Sequence, residues 1–319
     1  MFPAAQCEEG RGPKVRERFF PSTQPELHRY LEFCKSELQL EPHQMKVLDF
    51  GCGEGNATLE FRRKGYQVVG ADIDLRSLNA GREKIAALGM DAKEILFEVG
   101  EDGRLPFPDG IFHLVFSQQV FEHVKELGQV TDEIRRVTAP GGWGFHIFSP
   151  KFTPQELHFF MPFVHWLPKN GLRRYAIRAY AELGVGMRPP EIPDASPRER
   201  AEFLYNYSIN QTYYWSYKEV AKAFQQSGLD VCFTVTNHPK LRKLGPLANL
   251  LKVKPIRSLV ARSILTVRTI HLLTRRPRSE KEVRTPIRIG EWEDEWRPAF
   301  CETGTRAARD KRFSRAAAS

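Results

Sequence analysis

A glycine-rich turn between acidic side chains is the part of this chain best suited to binding a ligand. In VLDFGCGEGNATLEF, residues 47–61, an apolar strand is predicted to end at Asp49, and a helix is predicted to follow the turn. Three glycines stand at alternate positions of the turn: Gly51, Gly53 and Gly55. Glycine permits a tight turn and a close approach of a ligand to the backbone. Carboxylates at Asp49 and Glu54 would repel a pyrophosphate, for which a GxGxxG spacing is typical, but would attract a ligand's ammonium group.

A second acid follows about twenty residues later. Asp72 ends the apolar run of VVGADID, residues 68–74, so it is predicted to lie at the end of the next strand. A carboxylate in that position can accept hydrogen bonds from both hydroxyls of a ribose. An ordinary strand-to-helix turn and a solvated acid are the alternatives, but the spacing of the two motifs favours a ligand that contains a nucleoside.

Strands and helices alternate over residues 46–148, as a doubly wound α/β sheet requires. The predicted strands cover 46–50, 67–71, 94–99, 111–116, 142–148, 230–236 and 264–273. The predicted helices cover 56–64, 75–88, 126–137 and 217–226, and a capping box at residues 23–26 opens one more. The expected fold is therefore a Rossmann-like, doubly wound and mostly parallel sheet, with a helical insertion after the fifth strand.

Five segments follow from these patterns. Residues 1–45 form an N-terminal segment with a helix, and residues 46–150 form the ligand-binding core. Residues 151–215 are long, aromatic and helical, which predicts a lid with a second capping box at 196–199. Residues 216–275 resume the α/β pattern, and residues 276–319 have little periodicity and are predicted to be a flexible tail.

The motifs together resemble those of one known family. They are VLDFGCGEGNATLEF (47–61), VVGADID (68–74), LPFPDGIFHLVFSQQVFEHV (105–124) and TDEIRRVTAPGGWGFHIFSP (131–150). The chain resembles a class I methyltransferase that depends on S-adenosylmethionine (SAM), in the type 11 methyltransferase domain group. The resemblance covers residues 46–150, and 216–231 more loosely. It implies SAM as the cofactor and leaves the methyl acceptor open.

The resemblance also implies roles for particular residues. The methionine end of SAM would be held by Asp49 and by the loop residues Gly51, Cys52, Gly53 and Gly55, with Gln118 beside it. Cysteine between two such glycines is typical of a small residue that fits, rather than of a nucleophile.

The nucleoside end would be held by residues after the second and third strands. Asp72 would bind the ribose and Ile73 would pack on the adenine, while either Glu101 or Asp102 would meet the adenine amino group. His113 stands where the family usually has an aspartate, and it is expected to change the structure only.

A hydroxyl acceptor would benefit from a general base, most often a histidine. The candidates are His123, His146, His158 and His165. His158 and His165 are the preferred catalytic residues, because they lie in the insertion where the family builds its acceptor pocket. The spacing of histidines, cysteines and acids predicts no metal site.

Charge is spread unevenly along the chain, whose formal net charge is +9. Residues 1–150 hold 18 basic and 23 acidic side chains, whereas residues 238–290 hold 14 basic and 2 acidic ones. Within residues 155–180, an aromatic run is followed by Arg173, Arg174 and Arg178. These features favour a small-molecule or lipid-linked acceptor with peripheral membrane contact, and a solvated basic face is the alternative.

Two other functions stay open. A basic C-terminal half is compatible with an RNA methyltransferase, although no RNA-binding module is recognisable, so nucleic acid is the weaker prediction. A non-catalytic SAM-binding partner protein is the other alternative. The five cysteines form no CxxC pair, and no apolar run approaches the roughly 18 residues of a membrane span, so the cytoplasm is the expected compartment.

Overall fold

A single mixed sheet organises the part of the chain that the computed structural model describes, residues 25–234, 254–279 and 288–290. The helices are Pro25–Leu38 (α1), Asn56–Arg63 (α2), Leu75–Ala87 (α3), Leu127–Val137 (α4), Gly171–Glu182 (α5), Pro197–Asn210 (α6), Tyr217–Gln226 (α7) and Lys254–Val267 (α8). The strands are Lys46–Phe50 (β1), Gln67–Asp72 (β2), Leu96–Glu98 (β3), Phe112–Gln118 (β4), Thr138–Phe148 (β5), Asp230–Thr234 (β6), Ile270–Arg275 (β7) and Arg288–Gly290 (β8).

The order of the strands is β3-β2-β1-β4-β5-β7-β6-β8. Strands β1 to β5 pair in parallel, while β7 is antiparallel to both β5 and β6. The chain winds outward from β1 in one direction and then returns to place β4 on its other side. Ligands of open α/β sheets bind at such a switch point, beyond the carboxyl ends of the strands. The predicted Rossmann-like fold is confirmed.

Alternate residues of each central strand enter opposite cores. Val47 packs with α1 and α2 on one face, whereas Leu48 packs with α4 and α7 on the other. Phe116 and Val115 of β4 likewise pack in opposite cores, Phe116 in that of Val47 and Val115 in that of Leu48. This period of two, with apolar residues on both faces, is typical of a parallel strand covered on both sides by helices.

The insertion after β5 has a small core of its own. Its helices α5 and α6 enclose Phe159, Met161 and Ile177 among other buried apolar side chains. The predicted capping box is present at the start of α6, because the amide of Glu199 donates to Ser196 Oγ and the amide of Ser196 donates to Glu199 Oε2 at 2.9 Å. The insertion therefore stands as a folded helical unit beside the sheet.

The last elements depart from the sequence prediction. The predicted strand 264–273 is wrong in its first half, because α8 runs to Val267 and β7 covers Ile270–Arg275. Short apolar runs do not distinguish a helix from a strand by periodicity alone. The third strand is shorter than predicted, since residues 92–94 form a 3₁₀ turn before β3. The predicted tail contributes β8 to the sheet, and most of the capping box at 23–26 lies outside the described residues.

Candidate active site

The glycine turn lies between β1 and α2, and all three of its glycines have a positive φ: +73° at Gly51, +53° at Gly53 and +75° at Gly55. This left-handed conformation favours glycine at each position. An added Cβ at Gly51 would come within 2.3 Å of Val120, and one at Gly55 within 2.8 Å of Leu96. A Cβ at Gly53 would have no atom within 4 Å. Gly53 is therefore the point of the turn at which the backbone borders open space.

Asp49 is the residue before last in β1, close to this turn, and is only 3% exposed. Its carboxylate accepts a hydrogen bond of 2.7 Å from the hydroxyl of Thr58, which lies on α2. Burial raises the pKa of Asp49 to about 7, and the nearby charge of Asp72 adds to the effect. A buried carboxylate of this kind gains stability from a positively charged partner.

Asp72, at the end of β2, holds the turn from the neighbouring strand. Its carboxylate accepts hydrogen bonds from the amide of Gly53 at 2.7 Å and from the amide of Asp74 at 2.9 Å. The next side chain, Ile73, is 74% exposed although it is apolar. An open backbone cradle, two carboxylates and an uncovered apolar side chain fit a ligand that combines an ammonium group, a ribose and a flat ring.

The acids after β3 are both exposed. Asp102 closes the turn that follows, because its carboxylate accepts a hydrogen bond of 2.9 Å from the amide of Arg104. The other carboxylate oxygen can still accept, so Glu101 and Asp102 both stay candidates for the adenine amino group. Gln118 is the last residue of β4 and so stands at the same edge of the sheet as the glycine turn.

The surroundings of Cys52 and His113 indicate that both residues have structural roles. The thiol of Cys52 packs against Gly70, at which a Cβ would lie 2.7 Å from the sulfur, and burial raises the pKa of the thiol. His113 lies near the start of β4, and its Nδ1 accepts a hydrogen bond of 3.0 Å from the amide of Lys46. Lys46 opens β1, so His113 is at the opposite end of the strands from the glycine turn.

Two of the four candidate histidines meet beyond the carboxyl end of β4. Nε2 of His123 and Nε2 of His158 are 3.1 Å apart, although 35 residues separate them in the chain. A carboxylate oxygen of Glu122 also lies within 4.8 Å of ring nitrogens of both. Glu122, His123 and His158 are called the histidine cluster below.

His158 is held by the insertion. Its Nδ1 lies 2.8 Å from Glu156 Oε1 and 2.8 Å from the hydroxyl of Tyr214. Glu156 is fully buried, and it also accepts hydrogen bonds from the amides of His158 and Phe159 and from the hydroxyl of Tyr214. Burial alone would lower the pKa of His158, but the hydrogen bond and the charge of Glu156 outweigh it and raise that pKa.

Glu122 lies deeper and is 0% exposed. Neither oxygen of its carboxylate makes a well-formed hydrogen bond with any described residue. Burial raises the pKa of Glu122 to about 7, although the charge of His158 and the polar groups of Ser149 act in the opposite direction.

The cluster borders the predicted cofactor site. Val120, which packs against Gly51, precedes Glu122 and His123 by two and three residues. Burial and the charge of His158 lower the pKa of His123, while Asp72 is near enough to act in the opposite direction. The carboxyl ends of β1, β2 and β4 thus bring the glycine turn, Asp72 and the cluster to one edge of the sheet.

The other two candidate histidines are in packed interiors. His165 is 8% exposed, with its ring 4.9 Å from that of Tyr214, and burial lowers its pKa to about 4. His146 lies in β5, 2.9 Å from Ser117 Oγ and stacked on Phe224, and burial lowers its pKa to about 3. His165, a preferred catalytic residue in the sequence analysis, is not part of the histidine cluster, whereas His123 is.

Several residues of this site were missed by sequence reasoning. Glu122 lies in the 3₁₀ turn shortly after β4, so its place after a strand was a usable signal. Glu156 stands two residues before His158 and could have been paired with it. Tyr214 carried no signal, because 56 residues separate it from His158. Spacing along the chain could not reveal the histidine cluster, since its side chains come from two distant segments.

Part of the chain is similar to known proteins. Residues 48–145 match the family model described as a methyltransferase domain. Residues 48–145 therefore carry this domain, which confirms the predicted resemblance to a SAM-dependent methyltransferase over that part of the chain.

Two curated relatives align with the methyltransferase domain. A demethylmenaquinone methyltransferase of Thermus thermophilus is 34% identical over 108 residues, which are 33% of this chain and 48% of the relative. A sterol 24-C-methyltransferase of Gibberella zeae is 39% identical over 119 residues, which are 36% of this chain and 30% of the relative. The chain thus matches less than half of the length of either relative.

Among solved structures, a SAM-dependent methyltransferase from Aquifex aeolicus aligns with a TM-score of 0.39 and 18% identity. That alignment covers 69% of this chain and 85% of the other.

Proposed function

We propose that this protein is a SAM-dependent methyltransferase whose acceptor is a small molecule that loses a proton, such as a hydroxyl compound. The observation that carries the proposal is the shared edge of the sheet, at which an open glycine turn with two carboxylates adjoins a cluster of imidazoles. The glycine turn with its carboxylates suits the cofactor, and the cluster of imidazoles suits the acceptor.

The residues of the cofactor site have distinct tasks in this proposal. Asp49 attracts the ammonium group of the methionine end, and Gly53 lets that end approach the backbone. Asp72 accepts hydrogen bonds from the ribose, while Ile73 covers one face of the adenine and one of the two acids after β3 meets its amino group. When bound, SAM supplies a methyl group on a positively charged sulfur, which leaves the protein to align the acceptor and to exclude water.

Replacing Asp72 by alanine tests the cofactor site. The variant lacks the ribose contact and the bond that ties Asp72 to the amide of Gly53. We expect the affinity for SAM and for its demethylated product to fall by about 1.5–3 kcal/mol, the range for hydrogen bonds to a charged group. Calorimetry with the demethylated product measures the change, and Asp132→Asn on the exposed face of α4 is the control. Unchanged affinity in Asp72→Ala would remove this residue from the site.

We further propose that the acceptor is lipid-linked. The relatives reported above are named for demethylmenaquinone and for a sterol, which supports an apolar acceptor.

On the insertion, Phe152, Phe163 and Trp166 are 42%, 48% and 48% exposed, and these three residues are called the aromatic patch. The rings of Phe163 and Trp166 lie 4.8 Å apart, and Lys151 stands over the ring of Phe152. Exposed aromatic rings beside a basic residue are typical of contact with a membrane interface.

The membrane contact would be peripheral. In the described ranges no helix is long and apolar enough to cross a bilayer. Of the 14 basic residues at 238–290, six lie outside the described residues, as do both acidic ones. The contribution of this stretch to membrane binding is a prediction from the sequence alone. Each lysine or arginine near an anionic surface contributes about 1 kcal/mol.

Sedimentation with liposomes tests this contact. We expect binding to anionic vesicles at low salt, weaker binding at physiological salt, and further loss in Phe163→Asn. Asparagine tolerates the positive φ of +56° at this position, so the change removes the ring without adding strain. Leu88→Asn, which alters an exposed apolar residue after α3, serves as the matched control. Failure of the wild-type protein to bind anionic vesicles at low salt would exclude the membrane contact.

A further inference from the structure

The two Nε2 atoms that face each other in the histidine cluster are both unprotonated when the imidazole rings are neutral. Nδ1 of His123 lies 2.6 Å from the carbonyl oxygen of Gln211, which can only accept, so this nitrogen carries the proton. Nδ1 of His158 lies 2.8 Å from the carboxylate of Glu156 and carries a proton for the same reason. In the neutral rings, both Nε2 atoms then present lone pairs to each other across 3.1 Å. Such an arrangement needs a positive charge between them, either a proton or a metal ion.

The third member of the cluster distinguishes these two possibilities. Glu122 is fully buried, and neither oxygen of its carboxylate has a well-formed hydrogen bond among the residues that the structure describes. A proton shared by the two imidazoles would not contact that carboxylate, whose oxygens would still lack a well-formed hydrogen bond among the described residues. A cation within reach of all three side chains satisfies both lone pairs and the carboxylate together.

The distances suit a metal ion. Two nitrogens bound to zinc at about 2.0–2.1 Å in tetrahedral geometry stand roughly 3.3–3.4 Å apart. The Nε2 atoms are 3.1 Å apart, and one oxygen of Glu122 is within 4.8 Å of the ligand nitrogens. The two nitrogens are therefore close to the spacing of zinc ligands, and a Glu122 oxygen lies near both histidines.

The Nδ1 atoms of His123 and His158 have the partners that the second ring nitrogen of a metal-binding histidine commonly has. A ligating imidazole usually donates its other N–H to a carboxylate or to a backbone carbonyl, which fixes the tautomer and orients the ring. His158 has the carboxylate of Glu156 in this place, and His123 has the carbonyl of Gln211. Glu156 is itself held by two amides and by the hydroxyl of Tyr214.

We propose that Glu122, His123 and His158 bind a divalent transition-metal ion beside the cofactor site. Two imidazoles and one carboxylate suit Zn²⁺, and three protein ligands leave a coordination position open. The role of the ion, unlike its binding, rests on the proposed function. An acceptor hydroxyl bound at the open position becomes more acidic and releases its proton to solvent. Its oxygen then forms the new bond to the methyl carbon as the methyl–sulfur bond breaks, and the electron pair stays on the sulfur.

Metal titration of the chelator-treated full chain tests the proposal. With Zn²⁺ as the probe, we expect one ion per chain by calorimetry and by metal analysis, and Co²⁺ should give the visible absorption of a bound ion. His123→Gln, His158→Gln and Glu122→Gln should each weaken Zn²⁺ binding by more than about 100-fold. Glu156→Gln should weaken it by about 10- to 100-fold, as expected for an outer partner. His43→Gln, an exposed histidine before β1, should bind Zn²⁺ as the wild type does.

Two measurements on the same samples make the test decisive. Circular dichroism identifies variants that have lost their fold, and calorimetry with the demethylated product of SAM reports the cofactor site separately. If the folded wild-type chain binds this product but takes up no Zn²⁺, the metal site is wrong and the proposed function stands. If Zn²⁺ binds equally to wild type and to folded His123→Gln and His158→Gln, the site is likewise wrong. Binding of Zn²⁺ without the product would instead support the metal site and contradict the proposed function.

Discussion

Replacing Gly53 by valine will lower the affinity for SAM and for its demethylated product by more than about 100-fold, or roughly 2.8 kcal/mol. The backbone at Gly53 has a φ of +53° and borders open space, since no atom lies within 4 Å of an added Cβ. A valine side chain would fill the space in which the methionine end of the ligand approaches the turn. Because nothing in the protein occupies that space, the substitution costs binding and not packing. Calorimetry with the demethylated product measures the loss.

The chain offers a matched control for the backbone strain in this variant. Gly89, after α3, has a φ of +74° and also has no atom within 4 Å of an added Cβ. Valine at either position adopts a left-handed conformation that costs roughly 1–2 kcal/mol. We expect Gly53→Val and Gly89→Val to lose similar stability in urea unfolding, and only Gly53→Val to lose the ligand. Equal affinities in the two folded variants would show that the ligand does not contact the turn at Gly53.

Replacing Asp49 by asparagine will make the ligand-free protein more stable at pH 8 while weakening its binding of SAM. Burial raises the pKa of this carboxyl from its ordinary value of 3.8 to about 7. Each unit of such a difference corresponds to about 1.36 kcal/mol, so the upper limit of the gain is about 4 kcal/mol. The amide of asparagine carries no charge to desolvate and can still accept the hydrogen bond from Thr58. The buried charge is thus a cost that the ammonium group of the ligand would offset.

The contribution of Asp49 to the stability of the folded protein decreases as the pH rises. A folded-state pKa above the unfolded value means that the folded protein binds more protons, so the Asp49 term favours folding fully below about pH 4. That contribution is lost as the pH rises through the folded pKa of about 7. Asp49→Asn should therefore exceed the wild type in stability at pH 8 and approach it near pH 4. The neighbouring charge of Asp72 acts in the same direction as burial.

Urea unfolding at several pH values and calorimetry with the demethylated product measure the two effects. Asp132→Asn, on the exposed face of α4, removes a carboxylate without burial and should change neither quantity. We expect the affinity of Asp49→Asn for the product to fall by about 1.5–3 kcal/mol, because a hydrogen bond to a charged group is lost. A variant that is no more stable than the wild type at pH 8 would mean that Asp49 is solvated in solution.

The cofactor side of the site was readable from the sequence because it depends on local patterns. Gly53 and Asp72 each follow an apolar run that could only be a buried strand, and parallel strands bring their carboxyl ends to one edge. The hydrogen bond between the Gly53 amide and Asp72 is the direct result, across 19 residues. The end of the chain was less readable, since the apolar residues of 264–273 suit a helix and a strand equally well. Pairing with β5 and β6 made a strand only of Ile270–Arg275.

The acceptor side was decided by the tertiary structure. The four histidines could not be ranked by sequence, because a histidine in a core and a histidine in a site have the same local pattern. Burial places His146 and His165 in packed interiors, whereas the fold of the insertion carries His158 to His123 beyond the end of β4. The contact between Glu156 and Tyr214 spans 58 residues and joins the two ends of the insertion. Side chains from two distant segments meet here through long-range packing, which local sequence patterns do not encode.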